Sequence, residues 1–168
     1  MNNRSPQLKA FKRGPSLGLS RWYMGMLMTN LAESKDTDEV FFLMEATAVP
    51  GTESPPHVGK EAFKVEMGEC TFCPKLKPHA FAIRSPRGRV LILVSPGGLE
   101  GAFRSESSLA QNLDLPTEAP TYSTIYLKQA AQRFGEYGAR FLTPDEIADQ
   151  LPLFPKPLPP NTGRVHRT

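Results

Sequence analysis

The chain has 168 residues, of which 39% are hydrophobic, and carries a formal net charge of +3. This length and apolar content suit one globular domain with a single core. The positive excess lies mainly at the two ends, as in flexible tails, and no basic module interleaved with aromatic residues indicates nucleic-acid binding. No apolar stretch approaches the roughly 20 residues that span a bilayer, so a membrane is not expected as a partner, and we expect a soluble, cytoplasmic protein.

The N-terminal part predicts a flexible basic segment, 1–20, followed by buried strands. Dense apolar runs at 22–31 and 40–44 are typical of such strands. Three prolines then exclude a helix from the turn-rich stretch 49–56, which leads directly to His57.

The segment 61–67 alternates as a strand does, with Glu61 on the same face as Phe63 and Val65. A carboxylate directed at a core must be hydrogen-bonded, paired or bound to a metal, because burying it alone costs too much. Glu61 is therefore a candidate metal ligand, although an Arg or Lys partner would serve equally well.

Cys70 and Cys73 form a Cys-x-x-Cys pair, which is compatible with redox activity or with half of a zinc site. Together with His57 and His79 they could in principle close a tetrahedral site. We interpret them as incidental, because they lie in a short segment with no predicted helix to activate a thiolate.

Further strands are predicted at 80–84 and 89–94, joined by a tight hairpin turn at 85–88 that contains Pro86 and Gly88. The composition then shifts towards helix formers.

An amphipathic helix is predicted over 121–137, with Ile125, Ala130 and Phe134 available for packing. A second, short helix is predicted over 144–151, because Thr143 and Glu146 have the spacing of a capping box. The tail 152–168 is proline-dense at its start and is expected to be extended.

Two spaced motifs run through the centre of the chain. Gly51 is followed by five residues and His57, Glu61 is followed by six residues and Gly68, and Pro74 stands five positions before His79. With the phrases at 55–57, 78–81 and 90–99, this pattern resembles the cupin superfamily over about residues 21–104. It is similar in particular to the quercetin-dioxygenase-like branch and to fungal cupin-domain oxidoreductases of polyketide biosynthesis.

The chain departs from the family pattern at the centre. Gly59 stands where the family has a second histidine, and Gly68 serves both motifs, so that the usual intermotif strands are missing. Either the barrel is incomplete or the chain was shortened.

The resemblance implies a mainly β fold, namely a small cupin-like antiparallel jelly-roll barrel over 21–104. Because the intermotif strands are missing, this barrel could be incomplete. A C-terminal helical extension over 105–151 and the Pro-rich tail 152–168 would follow it.

The resemblance also implies a metal site. His57, Glu61 and His79 are the candidate ligands of Fe(II) or a similar divalent ion, and Glu61 is also the candidate catalytic residue. Two imidazoles and one carboxylate leave coordination positions open for substrate and oxygen. The expected apolar pocket, for a hydrophobic or aromatic metabolite, is lined by Phe42, Met44, Phe63, Val65, Phe81 and Leu93.

Three functional hypotheses follow. The first is a metal-dependent oxidoreductase of the dioxygenase type that acts on a small metabolite in secondary (polyketide) metabolism. The second is a non-catalytic binding or accessory protein that has lost productive metal coordination, as Gly59 in place of a histidine favours. The third is a fragment that exposes strand edges and apolar surface, which favours aggregation or a homodimer.

Overall fold

The structure, a computed structural model, describes residues 9–52, 65–75, 77, 79–117, 120–143, 145, 146 and 149. The described elements are five strands and two α-helices: β1 (Ser20–Tyr23), β2 (Met26–Ala32), β3 (Phe42–Ala48), β4 (Gly88–Val94), α1 (Glu100–Ser105), β5 (Ser108–Leu109) and α2 (Thr124–Glu136). Three short 3₁₀ turns flank these elements: Leu17–Leu19 before β1, Ser34–Asp36 after β2 and Gly97–Leu99 before α1.

The five strands form one antiparallel sheet in the order β4-β3-β2-β1-β5. No described strand joins β4 to β5, so these strands are the two edges of an open sheet rather than a closed barrel. The prediction of a mainly β fold followed by a C-terminal helix is confirmed at this level.

The apolar run predicted as one strand at 22–31 is instead a hairpin. Met24 and Gly25 connect β1 to β2, and both have positive φ, 48° and 78°. Two successive residues with positive φ form a type I′ turn, whose twist matches the twist of the two strands that it joins. Glycine is required at the second position, since an added Cβ would stand 2.6 Å from Cδ of Pro120.

The strand register divides the side chains between two faces. Met28 lies opposite Ala46, and Ala46 opposite Val90, so these three side chains share what we call the helix face. The main buried apolar residues of this face are Tyr23, Met26, Met28, Phe42, Met44 and Ala46.

The intervening residues form the second face: Trp22, Leu27, Thr29, Leu43, Glu45, Thr47, Leu91 and Leu93. Its centre is polar yet buried. The hydroxyls of Ser20 and Thr29 are hydrogen-bonded at 2.8 Å, and Arg89 donates to the buried Glu45 carboxylate at 2.6 Å. These contacts satisfy groups that would otherwise be costly to bury.

Both helices cover the helix face through aromatic packing centred on Phe103 of α1. Its ring centroid lies 5.4 Å from that of Tyr23 on β1 and 5.2 Å from that of Phe134 on α2, and both pairs are T-shaped. Phe42 of β3 lies 6.0 Å away on a third side. Contacts of this kind add to the burial of apolar area, which is the main stabilising effect.

The helix predicted over 121–137 is confirmed as α2. It begins after Ser123, whose hydroxyl accepts a hydrogen bond from the Tyr126 N–H at 3.2 Å. Ala130 and Phe134 are buried as expected. Ile125 is 70% exposed, so its predicted packing role is wrong.

Two predicted strands are not formed by the described residues. Residues 65–67, the described end of the strand predicted at 61–67, enter a turn in which Gly68 has a φ of 91° and the Glu69 N–H bonds to the Glu66 carbonyl at 3.1 Å. Residues 80–84 are irregular, so the predicted hairpin is wrong. Phe81 and Ile83 pack on the core, although residues 80–84 are not in a strand.

The segments outside the predicted barrel also contact the sheet. β5, which falls in the predicted helical extension, pairs with β1, and Arg21 donates to the Ser107 hydroxyl at 2.6 Å. The predicted capping box is present, because the Thr143 hydroxyl accepts from the Glu146 N–H and the Glu146 carboxylate accepts from the Thr143 N–H. Residues 145, 146 and 149 are helical.

In the part of the chain that the structure describes, no helix is both long enough and apolar enough to cross a membrane.

Replacing Phe134 by Ala tests the packing of α2. Phe134 is 3% exposed, whereas Ile125 on the same helix is 70% exposed. We expect Phe134→Ala to lower the free energy of unfolding in urea by about 3–5 kcal/mol, or to abolish cooperative unfolding, because a large buried ring is removed.

Ile125→Ala is the matched control, and it should stay within about 0.5 kcal/mol of the parent. Equal effects of the two substitutions would contradict the orientation of α2.

Candidate functional site

His79 is the one predicted metal ligand that the described residues include. It is exposed, and its Nδ1 lies 3.1 Å from the Lys77 carbonyl oxygen. A carbonyl only accepts hydrogen bonds, so Nδ1 carries the proton in this contact. In the neutral ring the lone pair then belongs to Nε2, which is the arrangement that histidines bound to metals commonly adopt.

The other two predicted ligands, His57 and Glu61, lie outside the described residues. Their convergence with His79, and the catalytic role of Glu61, stay predictions. Within the described ranges, no group of three or more His, Cys, Asp or Glu side chains is arranged to hold an ion.

The residues predicted to line one apolar pocket are distributed over different parts of the fold. Phe42 and Met44 are buried on the helix face, and Phe81 packs against the same core. Leu93 lies on the second face and is 60% exposed, because it is paired with Leu43 rather than with Met44. Val65 is 51% exposed, and Phe63 lies outside the described residues.

Three of the described pocket residues therefore share one core, and the sheet itself separates Leu93 from them. On the helix face the Phe103 ring packs against Phe42, and Phe134 packs against Phe103, so aromatic side chains occupy the space beside Phe42.

Cys70 and Cys73 are both exposed, free thiols. Burial raises the pKa of Cys73, and the neighbouring Cys70 raises it further. A raised pKa keeps the Cys73 thiol protonated at neutral pH and so disfavours a nucleophilic thiolate. The interpretation of the pair as incidental stays a prediction.

A polar depression of about 460 Å³ lies between the end of β2 and the start of α1. Its lining is mostly charged residues and glycines: Glu33, Ser34, Lys35, Glu39, Gly97, Gly98, Glu100, Gly101 and Arg104. The motifs recognised in the sequence do not include its charged residues.

Arg104 is central to the depression. Its guanidinium donates to Glu33 at 2.7 Å and also to Glu100, so one cation connects two carboxylates. Glu100 in turn accepts from the Ser34 N–H at 2.7 Å, and the Ser34 hydroxyl donates to the Gly97 carbonyl at 2.7 Å. The spacing of Glu100 and Arg104, one helical turn apart, was readable from the sequence.

These contacts show what the depression can do chemically. The carboxylates of Glu33 and Glu100 are already engaged by Arg104, and Lys35 lies 2.5 Å from Glu33. The two carboxylates and the two cations therefore neutralise one another. Their contacts connect the β2–β3 link to α1. We assign the depression a structural role.

A second polar cluster surrounds the buried end of Tyr23. Its hydroxyl is buried without a hydrogen-bond partner among the described residues. Burial raises the pKa of Tyr23, with Tyr126 and Glu106 adding to the effect, and burial raises the pKa of Tyr122 to about 12. These phenols stay protonated, while Glu106 is 3.0 Å from the Arg133 guanidinium.

Comparison of the chain with models of known protein families, with curated proteins and with solved structures found no match.

The ion pair between Arg13 and Asp36 gives a pH-dependent prediction. Arg13 holds the pKa of Asp36 below its ordinary value, and the carboxylate also accepts from the Glu33 N–H at 2.9 Å. The ionised carboxylate therefore stabilises the fold above its unfolded pKa, and this contribution is lost as the pH falls through the lower folded pKa.

We expect Asp36→Asn to reduce the free energy of unfolding at neutral pH by about 0.5–1 kcal/mol, and the difference from the parent to vanish in acid. Asp38→Asn is the control, since Asp38 is exposed to solvent and is a positive-φ residue that Asn tolerates. Urea titrations over a pH series measure both variants, and a difference that grows in acid would contradict the assignment.

Proposed function

We propose that the chain is a cupin-like, metal-dependent oxidoreductase of the dioxygenase type that acts on a small hydrophobic or aromatic metabolite in secondary (polyketide) metabolism. The support comes from the two spaced motifs around His57 and His79, and from the mainly β fold. The observation that carries the proposal is the hydrogen bond between His79 Nδ1 and the Lys77 carbonyl.

That hydrogen bond gives the His79 ring an orientation that suits a metal ligand. In the neutral ring it favours the tautomer in which Nε2 carries the lone pair that a metal ion would accept. His57 and Glu61 would supply the remaining ligands. When bound, a divalent ion such as Fe(II) would supply open coordination positions for substrate and oxygen.

A second candidate function has an observation of its own. The sheet is open, and Leu93 lies on the face opposite Phe42, so the residues expected to enclose a substrate do not share one pocket. An enzyme that handles reactive oxygen species benefits from a site closed to water, whereas a binding protein does not need one. A non-catalytic, cupin-like binding or accessory protein is therefore the alternative.

Metal content tests the first proposal. Protein purified in the presence of ferrous iron should hold about one equivalent by mass spectrometry of the metal, and His79→Ala should lose most of it. His166→Ala is the matched control, because it removes the only histidine outside the predicted set and should leave the metal content unchanged.

Ligand binding separates the two candidates. If the parent binds a hydrophobic dye such as anilinonaphthalene sulfonate but no iron, and His79→Ala binds the dye equally well, the accessory function is supported. Iron that survives His79→Ala and is lost in His166→Ala would contradict the predicted ligand set.

A further inference from the structure

β4 is an edge strand with an apolar surface. Its seven residues pair with β3 on one side only among the described strands. Leu91 and Leu93 are 66% and 60% exposed, and Val90 is 40% exposed. A strand of this length, with exposed leucines and no second neighbour among the described strands, is a template for pairing with another strand.

Natural edge strands are commonly blocked by prolines, inward-pointing charges or a short length. β5, at the other edge, follows this rule, since it is only two residues long. β4 does not follow it: its one charged residue, Arg89, lies near its start and is held by Glu45 at 2.6 Å. The two edges of the sheet therefore differ in their capacity to pair.

We propose that the β4 edge pairs with the β4 edge of a second copy of this chain, giving a two-fold homodimer with one continuous sheet. Antiparallel pairing about Leu91, the midpoint of Gly88–Val94, places Leu91 opposite its own copy and Leu93 opposite Arg89. Such a contact is self-complementary and closes on itself, so it ends at two subunits.

The charges along the edge favour this direction of pairing. Arg84 and Arg87 are exposed just before β4, whereas Asp38 and Glu39 are exposed beside its end. Glu39 lies one strand in from the outer edge, in line with β3, because its carbonyl accepts from the Gly97 N–H at 2.9 Å and so continues the β3–β4 register. An antiparallel pair brings the basic start of one strand to the acidic end of the other, and a parallel pair would bring like charges together.

The proposal does not depend on the metal site. The oligomeric state can be measured in the presence of a chelator, so a failed metal analysis and a failed dimer are separate results.

Sedimentation velocity on the full chain at micromolar concentration is the test. We expect a dimer for the parent. Leu91→Lys, which places two like charges opposite each other at the symmetry axis, should raise the dissociation constant at least about tenfold. Leu109→Lys is the matched control, because Leu109 is a similarly exposed leucine on the other edge strand and its substitution should leave the dimer intact.

Charge reversal tests the direction of pairing. Arg87→Glu and Glu39→Arg should each weaken the dimer, and the double variant should recover part of the loss. A monomeric parent, open-ended aggregates, a dimer broken by Leu109→Lys but not by Leu91→Lys, or a double variant weaker than both single variants would each overturn the proposal. Cooperative thermal unfolding of every variant confirms that the change is not a loss of fold.

Discussion

The alternation of side chains along β3 is the constraint on which the rest of the structure depends. Phe42, Met44 and Ala46 face the helices, while Leu43, Glu45 and Thr47 face the other side. A slip of one residue would exchange these two sets, because the side-chain period of a strand is two. The register therefore decides which residues can form the core with Phe103 and Phe134, and which residues can share a site.

Polar contacts of α1 also hold the apolar core in place. The link from β2 to β3 passes through the turn Ser34–Asp36, which Arg104 and Glu100 of α1 hold through Glu33 and Ser34. Since α1 also carries Phe103, the ion network and the aromatic cluster position the same helix from two sides. On the second face, Leu91 and Leu93 of β4 are exposed, and this strand is where we propose that two subunits pair.

Much of the secondary structure was predictable from local patterns, and the site was not. β4 and α2 were predicted from an apolar run and from helix formers, and β3, predicted at 40–44, spans Phe42–Ala48. The Ser123 cap that starts α2 three residues later than predicted was not recognised. The turn at Met24 was missed because it lies inside an apolar run, and residues 80–84 were mistaken for a strand because composition does not name a pairing partner. The contact between Glu33 and Arg104 joins distant parts of the chain, so no spacing rule reveals it.

Proton–proton contacts between labelled side chains in solution test the division of the sheet into two faces most directly. The account predicts nuclear Overhauser effects from the Phe103 ring to the rings of Tyr23 and Phe134, whose centroids lie 5.4 and 5.2 Å away. It predicts none from the Leu93 methyl groups to the Phe42 ring, because these lie on opposite faces. Contacts between Leu93 and Phe42 in folded protein, with those of Phe103 missing, would contradict the account.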